Sequence, residues 1–408
     1  LSLMDQLVDI VLREGSGKRR HCFQKSPMKS NQRITNLDFI RGISVLGILV
    51  MNSLSFSLPF SAYFNHPSVA VEGTLDWVLV YISEIFVSQK MMGLFSVLFG
   101  AGIVIFIDSA NKKNYKRPRL LSIWRNSLLL LFGIFHALLW DGDILRIYGL
   151  SAILIIFLYK KNIKILLILS LFFTLFSSII AYPWQGFFDN EGNLILSEAN
   201  INIWPDKLGL SSYWFPEADT KGIKGEAIYS YFGLDALFRA IGMMLLGVVL
   251  FRSKVLSGNL DIKIYKRMAF IGLAIGIPLG ILSLLWLGLN GYSPDVAIIG
   301  FIPNKLGIIP MTIAYIGILS ILNKKFSSKA GSYIRACGKM ALTNYITQTL
   351  FCYIVLNILF IDAELTRKEI FIFVLIIWAI QLIWSKYWLN KFKYGPLEFI
   401  SRKITYIK

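Results

Sequence analysis

A chain of 408 residues that is 55% hydrophobic and only 16% charged, with repeated apolar runs near the roughly 20 residues that cross a bilayer, excludes an ordinary soluble domain. The formal charge of +18 does not point to nucleic acid, because the Lys and Arg sit in short loops between apolar runs and form no basic face on a soluble domain. Cys22, Cys337 and Cys352 stand far apart and follow no CxxC or HxxC spacing, so neither a disulfide framework nor a metal site is expected.

Residues 1–33 carry Arg13, Lys18, Arg19, Arg20, Lys25, Lys29 and Arg33 with no apolar stretch of signal-peptide length, and read as a basic cytoplasmic arm. A short amphipathic segment near Met4–Leu12 lies within it, and Met28 is an alternative start. The remainder, 34–408, reads as a single transmembrane helical domain. Its first span runs from about Leu37 to Phe60, with Asp38 and Arg41 at the inner end. Asn52 follows Arg41 by 11 residues, about three turns, so both share a face that is expected to line a cavity or a neighbouring helix. Ser61–Thr74, which holds His66, reads as a loop. Leu75–Val87 is apolar but short and carries Asp76 and Glu84, which places it at the outer interface, with Met91–Ile107 crossing next.

Further spans are expected at roughly 120–140, 143–159, 162–182, 230–251, 268–288, 297–322, 336–360 and 369–390, giving about ten, each near spanning length. The expected fold is all-α: a polytopic transmembrane helix bundle with both termini cytoplasmic. This topology puts 33 of the 42 Lys and Arg on the cytoplasmic side, as the positive-inside rule requires. The one long loop, 183–229, is then extracytoplasmic, and Trp184, Trp204 and Trp214 suit a lid lying at headgroup level. After the Gly395-Pro396 turn the tail reads as an amphipathic membrane-surface anchor. No internal repeat is evident.

The most polar junction is FGIFHALLWDGDIL, Phe132–Leu145, which sets His136, Trp140, Asp141 and Asp143 within a few residues of one another at the outer surface. Such groups are tolerated at a bilayer only where protein or water satisfies them. Trp140-Asp141-Gly142-Asp143 reads as a tight helical hairpin in which Gly142 ends one helix and Asp143 caps the next. An imidazole one turn inside that helix end is a candidate general base, with the neighbouring carboxylates fixing its tautomer. Polar packing is the competing role for the same histidine. Arg239, Lys305 beside Pro303, and the i,i+4 pair Asn344 and Gln348 are further intramembrane polar groups, read either as a polar path or as helix-to-helix glue.

The segments RITNLDFIRGISVLGILVMNSLSFSLP, LFSVLFGAGIVIF, FGIFHALLWDGDIL, FRAIGMMLLGVVLF, KMALTNYITQTL and YGPLEFISRKITY resemble, in order, the motifs of the YeiB-like bacterial membrane proteins, a domain-of-unknown-function group. The resemblance spans about 37–406. That group is similar in turn to the transmembrane acyltransferases, including heparan-alpha-glucosaminide N-acetyltransferase and the bacterial polysaccharide O-acyltransferases. The resemblance implies a multi-pass cell-membrane protein that moves an acyl group from a cytoplasmic donor such as acyl-CoA to a hydroxyl or amine beyond the membrane. Arg41, Gly42 and Asn52 match the Arg-Gly pattern of the first span; the O-acyltransferases carry His where this chain has Asn52, whereas the lysosomal enzyme also has Asn. A histidine in the loop after the first span does the chemistry of the lysosomal enzyme, which makes His66 a candidate beside His136, and the base stays open between them. Arg41, Asp141, Asp143, Arg239, Lys305, Asn344 and Gln348 are then candidate substrate contacts. No GxSxG elbow occurs, so direct transfer is expected over a serine acyl-enzyme. The partners expected are membrane lipids, an acyl donor and an extracytoplasmic acceptor, with no nucleic acid and no metal; a homo-oligomer fits this reading. The alternative is a transporter or exporter of a small or lipid-linked solute.

Overall fold

In hydrocarbon a helix satisfies its own backbone, and that single requirement organises the chain. The structure, a computed structural model, describes residues 34–185 and 223–406 apart from positions 59, 64, 69, 294–295, 327–328 and 361–362. It is an all-α polytopic bundle, and among the described residues there is no strand. The main helices are α1 (Thr35–Asn52), α2 (Thr74–Ile82), α3 (Lys90–Lys112), α4 (Pro118–His136), α5 (Leu145–Leu158), α6 (Ile163–Ile179), α7 (Ile223–Arg252), α8 (Ile262–Leu289), α9 (Ile302–Leu306), α10 (Ile308–Lys325), α11 (Lys329–Lys339), α12 (Ala341–Cys352), α13 (Arg367–Lys391) and α14 (Pro396–Thr405), with short helical pieces at Leu54–Ser57 and Ala181–Gln185. Among the described residues, eight helical runs are long and apolar enough to cross a membrane, and α5 is a shorter apolar helix. Together with α4, which carries Arg119 and Arg125 near its start, they occupy the positions of the ten expected spans. The basic arm 1–33, the Met4–Leu12 segment and Trp204 and Trp214 of the loop lie outside the described residues.

The helix ends follow local chemistry. Pro118 opens α4, where its missing N–H costs nothing. The side chains of Asn162 and Asp261 accept from the N–H groups of Lys164 and Lys263, both at 2.9 Å. Thr366 and Glu369 form a capping box at the start of α13.

Burial sorts the bundle into a centre and a rim. The most apolar stretch of α7 is 78% buried, whereas those of α6 and α13 are each 28% buried. Val45 of α1, Ile103 and Ile107 of α3, Tyr148 and Ile155 of α5, and Met244 and Val248 of α7 form the central core. α3 and α7 touch backbone to backbone: a Cβ on Gly100 would run into the Met244 carbonyl, and one on Gly247 into that of Val97. Small residues of this kind permit the close packing that holds helices together where lipid is as apolar as the side chains. Rim side chains such as Phe157, Phe172 and Phe270 are exposed, as a lipid-facing surface requires.

Two expected spans are interrupted, and a third break falls between the interface segment and the span that follows it. Thr74–Lys112 is helical almost throughout, but a π-helical turn at Ser83–Val87 and a left-handed Gln89 (φ 61°) separate α2 from α3. The span expected at 297–322 breaks at Gly307 between α9 and α10, and that at 336–360 breaks at Met340 between α11 and α12. Each break falls beside polar side chains, as non-helical backbone inside a membrane must.

Candidate functional site

α4 ends at His136, earlier than the hairpin reading expects, and the chain turns through Ala137–Leu139 before α5. The backbone at Gly142 is not left-handed, so that glycine does not end the helix. What fixes the junction is Asp143. Its Oδ2 accepts from the Arg146 N–H at 2.9 Å and thereby caps α5, while its Oδ1 lies 2.7 Å from His136 Nδ1. Gly133 lets the two helices close here, since a Cβ on it would strike the Arg146 backbone and the Asp143 carboxylate.

His136 and Asp143 are both buried, and His136 Nε2 has no hydrogen-bond partner among the described residues. With Nδ1–H given to the carboxylate, Nε2 carries the lone pair. Tyr345 of α12 lies over the imidazole at 5.4 Å and Trp140 meets it edge-on at 6.2 Å. Trp140 in turn donates to Ser55 Oγ at 2.9 Å and packs on Phe56 at 5.2 Å, tying this corner to the end of α1 where Asn52 sits half-buried. Asp141 is exposed, and only its carbonyl contributes, accepting from Arg146 at 2.8 Å. Of the two carboxylates expected beside the histidine, one reaches it.

A second buried cluster forms where the breaks before α3 and after α9 meet. Lys90 Nζ donates to Asn304 Oδ1 and to the Glu84 carbonyl, and Asn304 Nδ2 donates to Glu84 Oε2 at 3.2 Å. His66 is folded into the bundle with its Nε2 3.5 Å from Glu84 Oε1, long for a hydrogen bond, and its Nδ1 meets no acceptor among the described residues. Tyr292 packs edge-on to His66 at 5.5 Å, and burial pushes its hydroxyl up to about 12, so it stays protonated. The neighbouring residues extend the cluster: Arg239 donates to Asp235 and to Gln89 Oε1, both at 2.7 Å, and Lys305 donates to the other Asp235 oxygen at 2.8 Å. A half-open cavity between α1, α2 and α13 is lined by Ser53, Ser83, Arg367 and apolar side chains.

Asn344 and Gln348 belong to neither cluster. Gln348 donates to the Val45 carbonyl at 3.1 Å and to Gln381 at 2.9 Å, and Asn344 bonds Ser385 and Trp384. They bind α12 to α1 and α13, which is the glue reading of that pair. Arg41 lies 3.7 Å from Asp38 at the far end of α1, three turns from Asn52, and the residues between them on that stripe, Val45 and Ile48, are buried. The Arg41–Asn52 face therefore points into the bundle. Sequence reasoning singled out Arg239 and Lys305 but missed Gln89, Lys90 and Asn304 as their company; the signal was there in Gln89-Lys90 and Asn304-Lys305, adjacent polar pairs inside apolar runs.

Residues 250–408 match the family described as protein of unknown function DUF418. Over 398 residues the chain is 29% identical to the uncharacterized protein YeiB of Escherichia coli (strain K12), covering 92% of this chain and 96% of the relative. The chain is thus similar to YeiB along nearly its whole length. The similarity extends to the uncharacterized protein YxaH of Bacillus subtilis (strain 168), which is 27% identical over 405 residues, 93% of this chain and 96% of that protein. Both alignments take in His136–Asp143 and the second cluster within one near full-length match.

Proposed function

We propose that the chain is a membrane-embedded acyltransferase that uses His136 as its general base. The observation that supports this reading is the His136–Asp143 pair: a buried imidazole oriented through Nδ1 at 2.7 Å, with Nε2 left without a partner among the described residues. A base held by an orienting carboxylate is what removal of an acceptor proton needs. In the reaction, Nε2 takes the proton from the acceptor hydroxyl or amine as its heteroatom attacks the donor carbonyl. The carbon–sulfur bond of a thioester such as acyl-CoA breaks, and the proton returns to the departing thiolate. Asn52, at the neighbouring end of α1, is the candidate donor to the developing oxyanion.

The test is turnover of acyl-CoA by the purified protein in proteoliposomes offered hydroxyl and amine acceptors. His136→Ala should lower turnover by about a hundredfold or more, the usual scale of general-base catalysis, while His66→Ala retains most of it. Loss in His66→Ala alone would move the base to the second cluster. A transporter is the second reading, favoured by two interrupted helices that meet at Lys90 and Asn304, an arrangement typical of solute sites. Solute flux abolished by Asn304→Leu and untouched by His136→Ala, with no acyl turnover in wild type, would establish it.

A further inference from the structure

At the end of the bundle opposite His136, arginines gather around an aromatic pair. Arg125 of α4 lies 4.7 Å above the ring of Phe106, and Phe106 packs against Tyr406 at 6.3 Å. Arg402 of α14 stands 5.2 Å over Tyr406 and 4.9 Å over Tyr394, with Tyr115 5.7 Å from Tyr406. Neither Arg125 nor Arg402 meets a carboxylate among the described residues. Glu398, one turn before Arg402, is already committed: it accepts from the N–H groups of Leu342 and Thr343 at 2.8 and 3.1 Å and from the Thr343 hydroxyl at 2.6 Å.

The rings hold the guanidinium planes in place through cation–π attraction but leave their charge uncompensated. Two like charges held on one aromatic cluster at a bilayer surface repel unless an anion joins them, and phosphate oxygens match the planar donor fork of Arg. We propose that Arg125 and Arg402 form a site for a phosphate ester at the basic end of the bundle. The ester comes either from an inner-leaflet lipid headgroup or from a soluble nucleotide-type molecule. The inference does not rest on acyl transfer, because a transporter would need to be anchored or supplied at the same surface.

The test is a binding measurement on the full-length protein in nanodiscs, so its failure and the failure of the acyltransferase reading are distinct. Coenzyme A and inorganic pyrophosphate are the soluble probes, and phosphatidylglycerol against phosphatidylcholine discs supply the lipid arm. Wild type should bind a soluble probe or melt at higher temperature in phosphatidylglycerol, and the positive arm names the source. Arg125→Gln and Arg402→Gln should each weaken that response about tenfold, the scale of one charged hydrogen-bonding group. Lys403→Gln, which removes an exposed cation next to Arg402, should leave it nearly unchanged. Arg402 is itself exposed, so its variant decides the matter if Arg125→Gln fails to fold. No response in either arm, or equal weakening by Lys403→Gln, overturns the proposal.

Discussion

Asp143 has two roles at once: it caps α5 and holds His136. Asx residues before an apolar run cap helices, so its capping role could be read from position alone. Its hold on His136 could not, because that depends on α4 ending at His136 and not at Gly142, and on Gly133 admitting the carboxylate. Asp143→Ala should therefore do two separable things. Loss of the cap costs about 1 kcal/mol, and leaving His136 Nδ1 without its buried partner costs about 1–3 kcal/mol more, read as a lower melting temperature in detergent. Turnover should fall as well, because the imidazole loses its fixed tautomer. His66 is the contrasting case: its sequence position reads as loop, yet the residue is buried against Tyr292, Phe301 and Glu84, contacts that no local pattern encodes.

At the scale of elements, the apolar runs were legible because their length is fixed by the bilayer, and the breaks were not, because they are fixed by partners far away in the chain. Gln89 adopts its left-handed turn where its side chain meets Arg239 and where Lys90 reaches Asn304, more than two hundred residues on. A β-branched residue at that φ is strained, so Gln89→Val should destabilise the protein by about 1–3 kcal/mol, while Gln89→Gly should lose only the Arg239 contact. Denaturation in a detergent series compares the two. Gly247→Leu probes a different kind of contact. It would force α7 away from the Val97 carbonyl, and overpacking of about 1–3 kcal/mol or more is expected, visible as loss of monodisperse protein on gel filtration.

For the whole molecule, the charge rule and the ten positions of the spans set the sidedness to be tested. With Cys337 and Cys352 buried, single cysteines placed at exposed sites report cleanly once Cys22 is replaced. A cysteine at Glu72, before α2, should react with an impermeant maleimide in intact cells, and one at Lys113, after α3, should react only after permeabilisation. The reverse pattern would invert the bundle, putting His136 on the cytoplasmic side and the basic loops outside.

The reciprocal glycine contacts between α3 and α7 have a mechanical consequence. Two helices whose main chains touch at Gly100 and Gly247 have no side-chain cushion to shear, so they travel as one mast through the centre of the bundle. Any part of the bundle that opens must then swing about that mast. The pivot best placed for such a swing is the π-turn and left-handed residue at Ser83–Gln89, where the helical rod is already cut and still rooted at its base to α3.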